Sequence, residues 1–253
     1  MNTPAHHRSG VRDVIAYNWP LYATGLAACA GSAALHGRLP GPLRPLARAG
    51  TLAATGLLAS TTLATWLVYD RSGLYDFDWL DELLPAPPAA HLVVGTGLDE
   101  TSGPLAARWP ASRQTTVDLY DPAVMTEGSV RRARRRVPPP AHALPGEPHA
   151  LPVPDASTDA VFLVFSAHEL RHAAERQRLF AECARTLRPG GRLVLVEHLR
   201  DAANTAVFGP GAWHFYPRST WLDLAAGAGL TPSAERRVAR LVTAFAFRRG
   251  TDT

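Results

Sequence analysis

Lysine does not occur in this chain, so its formal net charge of +4, from 26 basic and 22 acidic residues, rests wholly on arginine. Cysteine is nearly absent too, with Cys29 in an apolar stretch and Cys183 on a helical stripe. Two such thiols exclude a disulfide framework and offer no metal-ligand spacing, so both read as reduced packing residues and no metal is expected. The arginines concentrate in Arg131–Arg136 (RRARRR), yet that run lacks interleaved aromatics. Without a stacking platform, nucleic acid is not an expected partner. The run reads as the solvated face of an amphipathic helix over Pro122–Arg136.

Charge is missing from two further stretches, Val14–Leu35 and Ala49–Tyr69. Each is about long enough to cross a bilayer core as a helix. Small residues recur every four positions, Gly25, Cys29 and Ala33 in one and Gly56, Ser60 and Ala64 in the other, which suits close helix–helix packing. Trp19, Tyr22, Trp66 and Tyr69 lie near the segment ends, as interfacial aromatics do. Residues 1–70 are therefore expected to form a helical hairpin associated with a membrane; a hairpin packed on the rest of the chain, or in a homodimer, is the alternative. Arg38, Arg44 and Arg48 make the connecting loop basic, which by the positive-inside rule places it in the cytoplasm. Two full crossings would then leave residues 91–253 outside, so either the charge rule is overridden or the hairpin enters without spanning. Leu26–Cys29 resembles a lipobox, but the preceding region is long, contains Asp13, and is followed by the second apolar stretch; cleavage is not expected.

The segment Leu151–Arg200 supplies a complete strand–helix–turn–strand unit. Ala160–Phe165 is a continuous apolar run, the pattern of a strand buried on both faces. Ala173–Leu187 places Leu179, Phe180, Cys183 and Leu187 on one helical stripe. Arg188-Pro189-Gly190-Gly191 ends that helix with a glycine cap, and Arg192–Glu197 is the next strand. Such a crossover demands a parallel sheet, hence an α/β domain. Upstream, the strand His91–Gly95 runs into Gly95-Thr96-Gly97 and a helix over Thr101–Trp109. Strand, glycine turn and helix N-terminus is how a nucleotide-type ligand is held. Thr115–Leu119 is a second strand, and Asp118 at its tip, about 20 residues past the glycine turn, is placed to accept hydrogen bonds from ribose hydroxyls.

"LPVPDASTDAV", the apolar strand, the helix ending "LRPGG" and the strand "RLVLVEH" resemble the class I SAM-dependent methyltransferases, in their small-molecule branch, over roughly Ala89–Arg248. The resemblance implies a Rossmann-like, doubly wound seven-stranded α/β sheet with a C-terminal antiparallel strand pair, here Pro232–Val238 and Leu241–Phe247 after a helix over Arg218–Leu230. It implies S-adenosyl-L-methionine (SAM) as cofactor, with Asp118 at the ribose and Glu147, before a short strand Ala150–Val153, at the adenine amine. Gly95, Thr96, Gly97, Leu119 and Phe165 complete the expected cofactor site. The sequence departs from the family's acid-x-Gly-x-Gly-x-Gly pattern: Val93 stands at the acidic position and Asp99 where the third glycine belongs. Either SAM binding is lost on a retained fold, or Asp99 or Glu100 meets the positively charged methionine end.

Methyl transfer asks an enzyme to align acceptor and methyl and to remove a proton from a hydroxyl or acidic carbon. His168 with Glu169 follows the fourth strand, and Glu197 with His198 ends the fifth. His168 or His198 is the expected general base, since histidine titrates near neutrality. Trp213, His214 and Tyr216, in GPGAWHFYPRS, are expected to line the acceptor pocket. The stretch 71–90 reads as an amphipathic lid and linker, with Tyr75 and Trp79 as candidates for apolar substrate contact. Together these point to a small lipophilic acceptor, such as a quinone, isoprenoid, polyketide or lipid, methylated by a membrane-associated enzyme whose catalytic domain is cytoplasmic. A binding or regulatory protein on a degenerate scaffold, or a SAM-using enzyme of other chemistry, are the rivals.

Overall fold

Apolar runs buried on both faces build the centre of this molecule, and helices cover them. The computed structural model describes residues 10–251; residues 1–9 of the expected hairpin and residues 252–253 lie outside the described residues. In chain order the first elements are α1 (Val11–Tyr17), α2 (Trp19–Leu35), α3 (Leu43–Trp66), β1 (Ala90–Gly95), α4 (Ser102–Arg108), β2 (Arg113–Asp118) and α5 (Gly128–Arg136). There follow β3 (Leu144–Pro145), β4 (Thr158–Val164), α6 (Ala173–Thr186), β5 (Leu187–His198), α7 (Ala202–Phe208), α8 (Arg218–Gly227), β6 (Leu230–Val238) and β7 (Val242–Arg249).

The seven strands form one sheet in the order β3-β2-β1-β4-β5-β7-β6. The first five run parallel, while β7 lies antiparallel between β5 and β6. This is the expected α/β architecture with its antiparallel pair. Strand order reverses between β1 and β4, and a ligand crevice opens beyond the carboxyl ends of strands at such a point. Leu92, Val161, Leu163, Leu193 and Leu195 enter the core on one face, and Val93, Phe162, Val194 and Val196 on the other.

Several expected boundaries move. The helix α6 ends at Thr186 with Leu187 already extended, so no glycine caps it; LRPGG is instead the first part of β5. Gly191 is held in a tight place there: a Cβ would lie 2.9 Å from the Arg188 carbonyl and 3.0 Å from that of Asp159. The pairing of β4 with β5 shifts at this point, from Thr158 opposite Leu187 to Ala160 opposite Arg192. The short third strand is Leu144–Pro145, beside Val117 and Asp118, rather than residues 150–153; Pro152 and Pro154 lack the N–H a ladder needs. Helix α5 begins at Gly128, because Asp121 accepts from the Ala123 amide at 2.8 Å and turns the chain before it. Helix α8 stops at Gly227, and β6 opens at Leu230.

The stretch 71–90 is not a lid helix. It forms 3-10 turns over Leu74–Asp76 and Asp78–Glu82, separated by Phe77 in the left-handed region at φ 58°. Tyr75, Phe77, Trp79, Leu80 and Leu83 are all buried against one face of the sheet, a burial that a one-faced amphipathic helix has no geometry to achieve.

At the N-terminus, Asn18 interrupts the first apolar stretch, its side-chain amide donating to the Val14 carbonyl at 3.0 Å. Helix α3 is 24 residues long and continues through a π-helical turn, Leu67–Arg71. Leu43–Asp76 is, among the described residues, the one helical stretch long and apolar enough to cross a membrane, with a hydropathy of 1.4. Helices α2 and α3 pack together where Gly25 meets Leu58 and the Thr51 hydroxyl donates to that of Ser32 at 2.8 Å. The small-residue stripe of α3 faces elsewhere: the hydroxyls of Ser60 and Thr61 donate to the Val207 carbonyl at 3.0 and 3.2 Å, fastening α3 to α7.

Candidate active site

At the carboxyl ends of β1 and β2, the chain is shaped around a close approach. Gly97 has φ 108°, and a Cβ there would lie 2.7 Å from the Tyr120 ring, so no other residue fits. Asp118 ends β2 opposite Gly95. One carboxylate oxygen of Asp118 accepts from the Tyr120 amide at 3.2 Å and the other from the Arg134 guanidinium at 2.6 Å. Arg134 also stacks over the Tyr120 ring at 4.3 Å. The space bounded by Gly95, Gly97, Asp99, Thr116, Asp118 and Pro139 measures about 10 Å³, room for about one water molecule.

Across the switch point, Phe165 takes the left-handed conformation at φ 50°, and its amide donates to the Val196 carbonyl at 2.9 Å. This strained turn buries Ser166, whose carbonyl accepts from the Thr96 hydroxyl at 3.3 Å. The Ser166 hydroxyl itself is buried without a hydrogen-bond partner among the described residues. A buried orphan hydroxyl beside a glycine turn points to a ligand group that completes it.

Beyond β4 and β5 the side chains divide into two clusters. Glu197 and His198 are neighbours on β5 and point to opposite faces, as successive strand residues must. Glu197 reaches His168: one oxygen accepts from Nδ1 at 2.7 Å and the other from the His168 amide at 3.2 Å. The His168 Nε2 lies 3.3 Å from a Glu169 oxygen. Burial opposes the imidazolium, but the carboxylates of Glu197 and Glu169 outweigh it and hold the His168 pKa well above the ordinary histidine value. His214 packs edge-on at 5.2 Å between ring centroids and lies 3.8 Å from Glu127. Its burial and the nearby His168 cation depress its pKa to about 4. Burial and the Glu169 charge raise that of Glu127.

His198 has different company. Its Nδ1 is 3.0 Å from the Leu241 carbonyl and its Nε2 is 3.2 Å from the Tyr69 hydroxyl. The carbonyl requires a proton on Nδ1, so Nε2 accepts from Tyr69. Burial lowers the His198 pKa to about 4, so the ring is neutral at pH 7. Phe215 stacks on it at 4.9 Å and Phe165 at 5.4 Å, with Phe208 edge-on at 5.6 Å. Tyr69 packs on Phe165 and Tyr75, and the Tyr75 hydroxyl donates to Glu100.

The structure thus brings together Gly95, Thr96, Gly97, Asp118, Phe165, His168, His198 and His214. Others go elsewhere. Leu119 is a core residue. Asp99 caps α4, accepting from the Thr101 and Ser102 amides at 3.1 and 2.9 Å, so its carboxylate is committed to the loop. Glu147 points to solvent beside His149, 3.0 Å away. Trp79 is buried in the core, its indole donating to the Leu74 carbonyl at 2.9 Å. Tyr216 is pinned by Arg176, which donates to its hydroxyl at 2.8 Å and stacks on its ring. Val93, where the family has an acid, is core. Tyr69, Ser166, Glu127 and Arg134 are site residues that sequence reasoning did not single out. Tyr69 read as an interfacial aromatic, and nothing in its neighbours signals that a π-helical turn swings it inward.

Residues 92–195 match the family model described as a methyltransferase domain. A malonyl-[acyl-carrier protein] O-methyltransferase of Methylococcus capsulatus is 35% identical over 112 residues, covering 44% of this chain and 38% of that protein. A demethylmenaquinone methyltransferase of Thermotoga maritima is 37% identical over 82 residues, 32% of this chain and 33% of that one. The chain therefore spans about a third to two fifths of the length of these relatives. Among solved structures, a SAM-dependent methyltransferase from Methanosarcina mazei superposes with a TM-score of 0.51 at 16% identity, over 69% of this chain and 98% of that one. Human N-acetylserotonin methyltransferase, solved in complex with SAM, does so at 0.55 and 17% identity, over 94% of this chain and 70% of that one. Sheet order, glycine turn and β2 acid accompany these matches: residues 92–195 match a methyltransferase domain, and the fold is that of the SAM-dependent methyltransferase structures on which the chain superposes.

Proposed function

We propose that this chain methylates a small lipophilic acceptor at the mouth formed by β1, β4 and β5, using SAM. The observation that carries this is the juxtaposition of Gly97, Asp118 and the orphan Ser166 hydroxyl with the aromatic wall of Tyr69, Phe165, His198 and Phe215. The first three fit SAM: a backbone without Cβ, a carboxylate for the ribose hydroxyls and an unpaired hydroxyl at the switch point. When bound, SAM supplies a methyl group on a sulfonium, open to in-line displacement. The protein's part is to hold the acceptor against the aromatic wall, exclude water and take a proton.

His198 and Tyr69 are placed for that proton. The Tyr69 oxygen accepts from an acceptor hydroxyl while its own proton passes to His198 Nε2. A pKa of about 4 makes His198 a weak base, so it takes the proton as the acceptor oxygen gains positive charge. His168 is already protonated and serves to fix the loop. The quinone substrate in the name of the Thermotoga maritima relative supports a lipophilic acceptor. So do Leu21, Leu26, Leu46 and Leu52, which are 71%, 63%, 69% and 73% exposed on α2 and α3. Such a surface favours insertion into one leaflet, and a hairpin that does not span keeps the catalytic domain on the cytoplasmic side.

The second reading, a binding scaffold without cofactor, draws on the Arg134–Asp118 ion pair and the small space beside it. Calorimetric titration of the full chain with SAM and S-adenosylhomocysteine separates the two. Saturable binding lost in Asp118→Ala is expected; absence of binding to either compound would make the scaffold reading the correct one.

A further inference from the structure

His168, Glu169 and His214 offer one ligand atom each, and these three atoms lie within 4.8 Å of one another. We propose that they form a site for a divalent transition-metal ion of the zinc type. The inference goes beyond methyl transfer and does not depend on SAM binding.

Three features of the cluster support it. Glu197 is buried and holds His168 by both Nδ1 and the backbone amide. That leaves Nε2 as the coordinating atom, the arrangement in which a carboxylate orients a ligating histidine. Arg171 donates to the His168 carbonyl at 3.2 Å and the His214 carbonyl at 3.1 Å, so the two ligand-bearing loops are clamped together before any ion arrives. Finally, the three carboxylates of Glu127, Glu169 and Glu197 face two cations, Arg171 and the protonated His168, and an ion bound at His168 Nε2 releases the proton held there and offsets the remaining negative charge.

Two imidazoles with one carboxylate select a borderline ion over calcium or magnesium, which prefer oxygen. Three protein ligands leave a fourth position open. Glu127 lies 3.8 Å from His214, and a hydroxyl or enolate oxygen is the kind of ligand the open position would take. The cysteine spacing on which a sequence reading looks for metal plays no part; the ligands come from two loops brought together by β4, β5 and the turn Gly209–His214.

The test is calorimetric titration of the full chain, stripped with chelator, with Zn²⁺ alone, and the visible spectrum with Co²⁺. One equivalent of Zn²⁺ and a tetrahedral Co²⁺ band are expected. His214→Ala, on a partly exposed loop, and His168→Gln should each weaken binding at least about tenfold, and Glu197→Gln by about 10- to 100-fold. His149→Ala, beside the exposed Glu147, should change nothing. Asp118→Ala should leave the Zn²⁺ titration intact while abolishing SAM binding, so failure of one reading is distinguishable from failure of the other. No saturable Zn²⁺ binding, or binding that survives in His214→Ala, would overturn the assignment.

Discussion

His168 and His198 stand 30 positions apart and are driven in opposite directions by what they touch. Carboxylates keep His168 protonated, whereas burial among aromatic rings keeps His198 neutral. The two therefore contribute to stability with opposite signs. The folded His198 has a pKa of about 4 against 6.5 unfolded, so its contribution is fully present above pH 6.5 and is lost as pH falls through the folded value. Between pH 6.5 and 5 this amounts to about 2 kcal/mol. His214, also depressed to about 4, adds in the same direction. The raised His168 keeps its contribution below pH 6.5 and loses it as pH rises through its raised folded value. Urea unfolding at pH 7, 6 and 5 should show stability falling with pH, and His198→Gln should flatten that slope. An unchanged slope in the variant would mean the ring is not buried as a neutral group.

At the scale of elements, α5 is the part that bears on the proposed cofactor site. Its Arg134 closes on Asp118, while Arg132 donates to the Tyr17 carbonyl and Arg136 pairs with Asp13, so α1 braces it. Both Arg134 and Asp118 are partly shielded from water, and their ion pair competes with any ribose. Such a pair is worth about 1 kcal/mol, so Arg134→Ala should tighten S-adenosylhomocysteine binding by about fivefold. Weaker binding in the variant would instead give Arg134 a direct role in holding the cofactor.

The elements most legible in the sequence were those written by local pattern. The strands β1, β4 and β5 are apolar runs, α6 is a stripe, and Asp118 is found by its distance from the glycine turn. What was illegible depends on contacts between distant segments. Tyr69 becomes a site residue because Ser60 and Thr61 fasten α3 to Val207. Glu127 sits at the N-cap and Arg134 in the last turn of the same short helix, and only its docking decides which cluster each joins. Tyr75 and Trp79 alternate with acids like a surface helix, yet Phe77 at positive φ folds that stretch inward. Asp99 stands where the family's third glycine belongs, but Thr101 and Ser102 take up its oxygens.

For the whole molecule, the uneven surface is the main fact. Most of the large apolar residues left exposed lie on α2 and α3, whereas the sheet domain leaves few outside, Trp213 among them. Each exposed leucine that enters lipid contributes about 1.5 kcal/mol or more. Replacing Leu21, Leu26 and Leu52 together with glutamine should then weaken partition into phosphatidylglycerol-containing vesicles by about a thousandfold. SAM binding by that variant should be unchanged, because none of the three touches the sheet domain's site. Flotation of the triple variant equal to that of the original chain would remove the membrane from the account.

The alternation along β5 carries a consequence of its own. Glu197 serves one chamber and His198 the other because of odd and even positions alone. A displacement of the strand by a single residue would hand the acid to the aromatic chamber and the neutral ring to the histidine pair. Against this stand the β7 pairing and the apolar residues buried on both faces of β5, and towards its other end the pairing with β4 jumps where Gly191 is wedged between two carbonyls. At about 3.3 Å per residue that wedge is roughly 20 Å from Glu197. The parity of Glu197 and His198 thus follows the register that resumes at Arg192, just past a residue without a side chain on the floor of the sheet.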